Sequence, residues 1–223
     1  MAINLTFISD THGSHNNKKL VISGGDIIVH CGDVSKMGRQ EEIEDFADWF
    51  SSLPYKHKIM TPGNHDFMFE KNYETAKRII EHRGIICLID EGKEVEGIKF
   101  WGSPITPWFH NWAFNRYRGS EIEQHWNKIP EGTDVLITHG PPAYQDDLST
   151  VSEGEDVGCE DLYKAIKRVN PKINCFGHIH EGYGTLKDET TLYINCSILD
   201  RRYNVSNKPI KVEYGEGKFT LVK

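Results

Sequence analysis

Short apolar runs alternate with stretches of helical period along this chain, and the runs repeatedly end on a polar residue. Ile3 to Ser9 alternates apolar and polar positions and stops at Asp10, which predicts a strand. Asp26 to Cys31 is a second apolar run, ending at Gly32-Asp33. Ile43, Phe46, Ala47, Phe50 and Leu53 recur at helical spacing, and Pro54 stops them. Lys58-Ile59-Met60 predicts a short strand before Pro62-Gly63. Tyr73, Ala76, Ile79 and Ile80 predict a helix capped by Gly84, followed by a strand over Ile85 to Ile89. Val95 to Trp101 resembles one arm of a sheet, and Asp134 to Thr138 is a strand ending at His139. Leu162, Ile166 and Val169 mark a helix that begins near Gly158 and stops before Pro171. Ile173 to Phe176 predicts a strand ending at Gly177-His178. Thr191 to Cys196 and Ile210 to Val222 are further strands, the latter carrying a Gly-Glu-Gly turn.

The polar residues matter most for where they fall. Asp10, Asp33, Asn64, His139 and His178 each follow a short hydrophobic strand directly or one turn later. In α/β sheets, ligands bind outside the carboxyl ends of the strands, so five such ends point to one shared site.

Composition narrows the classes. A chain of 223 residues supports one substantial core, and no internal repeat is visible. The net charge of -7 argues against general nucleic-acid binding, which needs a basic face. No apolar run approaches a membrane span, and Met1 to Leu5 lacks the basic start of a secretion signal. The five cysteines have no metal-ribbon spacing and lie mostly in apolar runs. Reduced, buried thiols in a cytoplasmic protein follow as the expectation.

The motifs at the strand ends carry chemistry. Asp10-Thr11-His12 and His178-Ile179-His180 each put two ligand types at i and i+2, the same face of an extended chain. Asp33 has two oxygens and can bridge two cations. Asn64 offers a neutral carbonyl oxygen. His65 beside it would stand next to metals without binding one, and Asp66 could hold the His65 ring and set its tautomer. Singly, Asp-x-His and Gly-Asp are common turns; jointly they require many accidents in one order. Two carboxylates, one amide and four imidazoles exceed one tetrahedral ion. They fit two ions about 3.5 to 4 Å apart that share a carboxylate. Mixed nitrogen and oxygen donors suit manganese first, with iron, zinc, cobalt or nickel as alternatives, over magnesium or calcium.

The succession Asp10-x-His12, Gly32-Asp33, Gly63-Asn64-His65-Asp66, His139 and Gly177-His178-x-His180 resembles the calcineurin-like metallophosphoesterase superfamily. Gly102 to Phe109 and Gly177 to Gly184 are similar to its metallophosphoesterase-domain-containing phosphodiesterase branch. The resemblance implies one domain over residues 1–223 with a four-layer α/β/β/α sandwich. It implies that Asp10, His12 and His180 hold one metal, that Asn64, His139 and His178 hold the second, and that Asp33 bridges. It further implies hydrolysis of small phosphodiesters, cyclic nucleotides among the candidates, by a metal-bridging hydroxide with His65 as general acid. A phosphomonoesterase or nucleotidase is the alternative enzyme, and a non-catalytic scaffold of the same fold the alternative class. The run Val34-Ser35-Lys36 replaces the Asp-Arg continuation of phosphoprotein phosphatases, which weakens that reading. The expected partner is a small phosphoester, with no membrane and with self-association left open.

The aromatic stretch Trp101, Trp108, Phe109, Trp112, Phe114 and Tyr117 could form a stacking rim, but a satellite core under a long loop is the expectation. Arg116 and Arg118 lie in it and are assigned no role. His15 and His110 are expected to be packed or exposed, and Cys31 to be strand core.

Overall fold

The computed structural model describes residues 2–222. The first sheet is built from β1 (Ile3–Ile8), β2 (Gly25–His30), β3 (Tyr55–Met60) and β4 (Ile86–Cys87), all parallel. The second contains β5 (Glu91–Val95), β6 (Ile98–Ser103), β9 (Val135–Thr138), β10 (Ile173–Phe176), β11 (Gly184–Lys187) and β12 (Leu192–Asn195), in the order β11-β12-β10-β9-β6-β5. Its four central strands are parallel and its two edges antiparallel. The strands β13 (Ile210–Gly215) and β14 (Lys218–Leu221) return to extend the first sheet beyond β1. A small pair, β7 (Thr106–Pro107) and β8 (Asn115–Arg116), stands apart.

The central strands are buried on both faces, which is why they read as apolar runs. Leu5, Phe7, Ile27, Val29 and Ile59 of the first sheet meet Val135, Ile137, Ile173, Cys175 and Ile194 of the second in one core. The alternate residues Ile8, Ile28, Met60, Leu136, Phe176 and Tyr193 face outwards into a second core. Helices cover those outer faces: α1 (Gln40–Ser52), α2 (Phe67–Lys71) and α3 (Tyr73–Glu81) on one side, and α4 (Ser120–Trp126) and α5 (Glu160–Val169) on the other. The result is the expected helix–sheet–sheet–helix layering. Helix α1 buries Ile43, Phe46, Ala47 and Phe50 on one stripe, each large side chain contributing roughly 2 kcal/mol. Helix α5 ends at Asn170, whose left-handed φ of 54° terminates it before Pro171. Among the described residues no helix is long and apolar enough to cross a membrane.

Differences from the pattern have local causes. Val95 to Trp101 is not one arm but straddles a hairpin turn, with φ of 53° at Glu96 and 77° at Gly97, the two-residue turn that matches strand twist. Its first strand, β5, is an exposed polar edge and carries no apolar signal. The strand expected over Ile85 to Ile89 narrows to two residues at the sheet edge. Helix α2 is only five residues long, too short to display a period.

The carboxyl ends of the two sheets converge. Ser9 and Ser197 form an isolated parallel bridge between them, and Ile198 N donates to Ser9 O at 2.9 Å. The loops after β1, β2, β3, β9, β10 and β12 therefore open onto a common edge.

Candidate metal centre

All seven expected ligands lie at that edge. Their donor atoms form the trios Asp10–His12–His180 and Asp33–His139–His178. Asp33 Oδ2 stands 3.4 Å from His12 Nε2 and 3.4 Å from His139 Nε2, a shared position between the trios. Asn64 Oδ1 lies 2.7 Å from His139 Nε2, on the same side as the second trio. Both aspartates are almost wholly removed from solvent.

The backbone is bent to achieve this. Asp10, His12, Asp33 and His178 have φ of 55°, 41°, 55° and 67°. Non-glycine residues seldom adopt that region, and such strain concentrates at functional sites. Two glycines permit the close approaches. A Cβ on Gly177 would overlap Asp10 Oδ2, and one on Gly63 would overlap Asp33 Oδ1. Backbone donors also fix the carboxylates: His178 N donates to Asp10 Oδ1 and Oδ2 (3.1 and 3.0 Å), and His65 N donates to Asp33 Oδ1 (2.8 Å).

The imidazoles fit cation binding. His139 Nδ1 donates to Cys31 O at 3.0 Å, and His180 Nδ1 to Asp200 O at 3.2 Å, which turns each Nε2 towards the carboxylates. His12 Nε2 is buried and makes no hydrogen bond among the described residues. An orphaned ring nitrogen facing a carboxylate is a position that a cation would satisfy.

The electrostatics agree. Burial pushes Asp33 up, but the charges of His139 and His12 outweigh it and hold the carboxyl well below its usual range. Burial likewise opposes the ionisation of Asp10, and His180 overrides it. Burial pushes His12 and His178 down to about 4, so both are neutral donors at neutral pH. Burial also acts against a charged His139, yet Asp33 raises it to about 9. A proton on His139 thus balances the Asp33 charge.

His65 and Asp66 differ from expectation. The His65 Nδ1 donates to Lys36 O at 2.8 Å, not to Asp66. Asp66 is fully buried and accepts from Gly63 N (2.8 Å), Val34 N (3.2 Å), Ser35 N (3.0 Å) and Ser35 Oγ (2.6 Å). It ties the loop after β2 to the loop after β3, and it does not hold the His65 ring. Burial and the Asp33 charge push its carboxyl up to about 6 against those donors. His65 Nε2 lies 4.0 Å from Asp33 Oδ2 and forms a third trio with His12 and Asp33, so it borders the candidate metal groups closely.

Two contacts escaped the sequence. Trp112 stacks on His65 with centroids 4.0 Å apart and planes at 28°. Tyr203 leans on His12 and His180 at 5.1 and 4.9 Å. The strand-end rule, extended to β12, would have pointed to the Tyr203 loop. The aromatic stretch is not a satellite core as a whole: Phe114 is buried, whereas Trp108, Phe109 and Tyr117 are about half exposed or more. His15 is buried against Trp49 and bonds Asp45, and His110 is exposed, both outside the trios.

Two facing sheets with a clustered Asp/His/Asn site at their joint edge define a metallohydrolase architecture. Residues 3–182 match the profile described as Calcineurin-like phosphoesterase, and the chain belongs to that family, whose members use divalent metal ions. Metallophosphoesterase domain-containing protein 1 of Homo sapiens is 36% identical over 230 residues, covering 92% of this chain and 69% of the relative. A UPF0046 protein of Caenorhabditis elegans is 34% identical, covering 83% of this chain and 54% of its own length. Phosphopantetheinyl hydrolase from Mycobacterium tuberculosis shares the fold, with a TM-score of 0.64 at 16% identity over 90% of each chain. So does a Plasmodium inner-membrane-complex anchor, with a TM-score of 0.55 at 12% identity over 99% of this chain and 83% of that one.

Proposed function

We propose that this chain hydrolyses small phosphodiesters, cyclic nucleotides among them, with two divalent transition-metal ions. Asp10, His12 and His180 would hold one ion and Asn64, His139 and His178 the other, with Asp33 lying between the two groups. Manganese is the first candidate on donor chemistry, and five free, buried cysteines favour a reducing compartment such as the cytoplasm.

The observation that carries the diester preference is the charge beside the second trio. A cavity of about 430 Å³ opens on His178, walled by Trp108 and Phe109. Its charged groups are Glu155, Asp156 and Glu181 against Arg118 alone, and Arg118 already donates to Val157 O and Gly158 O. A dianionic monoester meets more repulsion there than a monoanionic diester. The half-exposed aromatics offer the second organic group of a diester an apolar wall.

When bound, the ions lower the pKa of water and offset charge on phosphate oxygens. His65 supplies the proton. Its Nδ1–H is committed to Lys36 O and Trp112 covers one ring face, so Nε2 is aimed at the site. The imidazolium form donates from Nε2 to the departing alkoxide. The test pairs bis(p-nitrophenyl) phosphate with p-nitrophenyl phosphate on manganese-reconstituted protein. The diester is expected to be the better substrate, and exclusive monoester hydrolysis would reverse the assignment. His65→Asn is expected to keep the metal and lose about 10²- to 10⁴-fold in turnover. Unchanged turnover on a poor leaving group would remove His65 from the role.

A further inference from the structure

We propose that the Tyr203 hydroxyl donates a hydrogen bond to a non-bridging oxygen of the phosphoryl group held over the Asp10, His12 and His180 side of the site. The proposal takes its substrate from the phosphodiester reading, but phosphate binding tests it separately.

Tyr203 lies outside every motif that identifies the family and beyond the matched residues 3–182. Its ring stands edge-on to both imidazoles, 5.1 Å from His12 and 4.9 Å from His180. Its backbone has φ of 60°, a region bulky residues rarely enter. A dense set of bonds keeps it there. Asp200 Oδ1 accepts from Arg202 N (2.8 Å) and Asn204 N (2.9 Å), Tyr203 N donates to Asp200 O (2.8 Å), and Asp200 N donates to Asn204 O (2.9 Å). The same Asp200 carbonyl accepts from His180 Nδ1. One carbonyl therefore positions the imidazole and the tyrosine together.

Packing does not explain the residue. The residue is 55% exposed, so it buries little, and its contact with the imidazoles needs only a phenyl ring. A phenol hydroxyl keeps its proton at neutral pH and can donate. A phenol that packs on the His12 and His180 rings and is still open to solvent can donate to a phosphoryl oxygen bound on that side of the site. Such a preorganised donor strengthens as charge builds on that oxygen.

The test uses the full chain loaded with manganese and compares the wild type with Tyr203→Phe and Tyr203→Leu. Metal content, the Kd for inorganic phosphate, and kcat and KM for bis(p-nitrophenyl) phosphate are measured. Tyr203→Phe should keep the metal and the melting temperature, weaken phosphate about 5- to 10-fold, and lower kcat/KM about 10- to 100-fold. Phosphate affinity within 2-fold of wild type would overturn the proposal, as would failure of the wild type to bind phosphate. Equal metal loss in the Phe and Leu variants would also overturn it, by making Tyr203 a packing residue. Weakened phosphate binding in a protein inert to the diester would instead uphold Tyr203 and reject the diester reading.

Discussion

Gly177→Ala is a one-methyl change whose consequences can be worked from the geometry. Gly177 follows β10 and precedes His178, and its N–H donates to His139 O at 3.0 Å. The added Cβ would overlap Asp10 Oδ2 as well as the Oγ and Cβ of Ser9. Neither neighbour can yield cheaply, because Ser9 and Asp10 are both at 0% exposure. Overpacking of this kind costs about 1–3 kcal/mol. Separating Asp10 from His178 N, a hydrogen bond to a charged group, costs about 1.5–3 kcal/mol more. A total of about 3–5 kcal/mol corresponds to a melting temperature lower by roughly 10 °C in a chain of this size. Each trio loses the position of one member, Asp10 in the first and His178 in the second, so metal content should fall below two ions. Melting is measured in chelator, which removes the contribution of bound metal, and metal content is measured by elemental analysis. Gly97→Ala is the control: it has φ of 77° and open space around it, and should cost about 1–2 kcal/mol with no loss of metal. Full metal content and melting within about 2 °C of wild type in Gly177→Ala would refute the close-approach argument.

Asp66→Ala should destabilise the fold by about 3–5 kcal/mol and reduce metal content, since four buried donors from two loops lose their acceptor. A variant with native stability and metal that lost turnover alone would restore Asp66 as a partner of His65. The acid limb of stability depends on His30, whose Nδ1 accepts from Gly32 N while its Nε2 faces Thr11 Oγ1, so the ring is the neutral Nε2–H form. Burial depresses its folded pKa to about 3, below the ordinary 6.5. Its contribution is therefore complete above pH ~6.5 and is lost as pH falls towards 3, amounting to about 2–3 kcal/mol by pH ~4.5. His30→Asn should flatten that limb in chelator-treated protein; an unchanged slope between pH ~6.5 and ~4.5 would discard the assignment.

What the linear order of residues determined was the set of participants and their grouping. Apolar runs buried on both faces announce parallel central strands, and the residue after each run must emerge at the carboxyl edge. Asp10, Asp33, Asn64, His139 and His178 were legible for that reason, and the i, i+2 spacing added His12 and His180. The layering came from resemblance, because period and burial say that a strand is covered but not by what. Only the tertiary structure decided which neighbour each polar group meets. Asp66 sits two residues from Asn64, yet it turns inward to four donors, since a buried carboxylate goes where the N–H groups are and not where sequence adjacency suggests. Trp112 and Tyr203 reach His65 and His12 from loops distant in sequence, and no local period encodes such contacts. Positive φ at four of the seven expected ligands is likewise a cost accepted by the fold as a whole, invisible to any pattern along the chain.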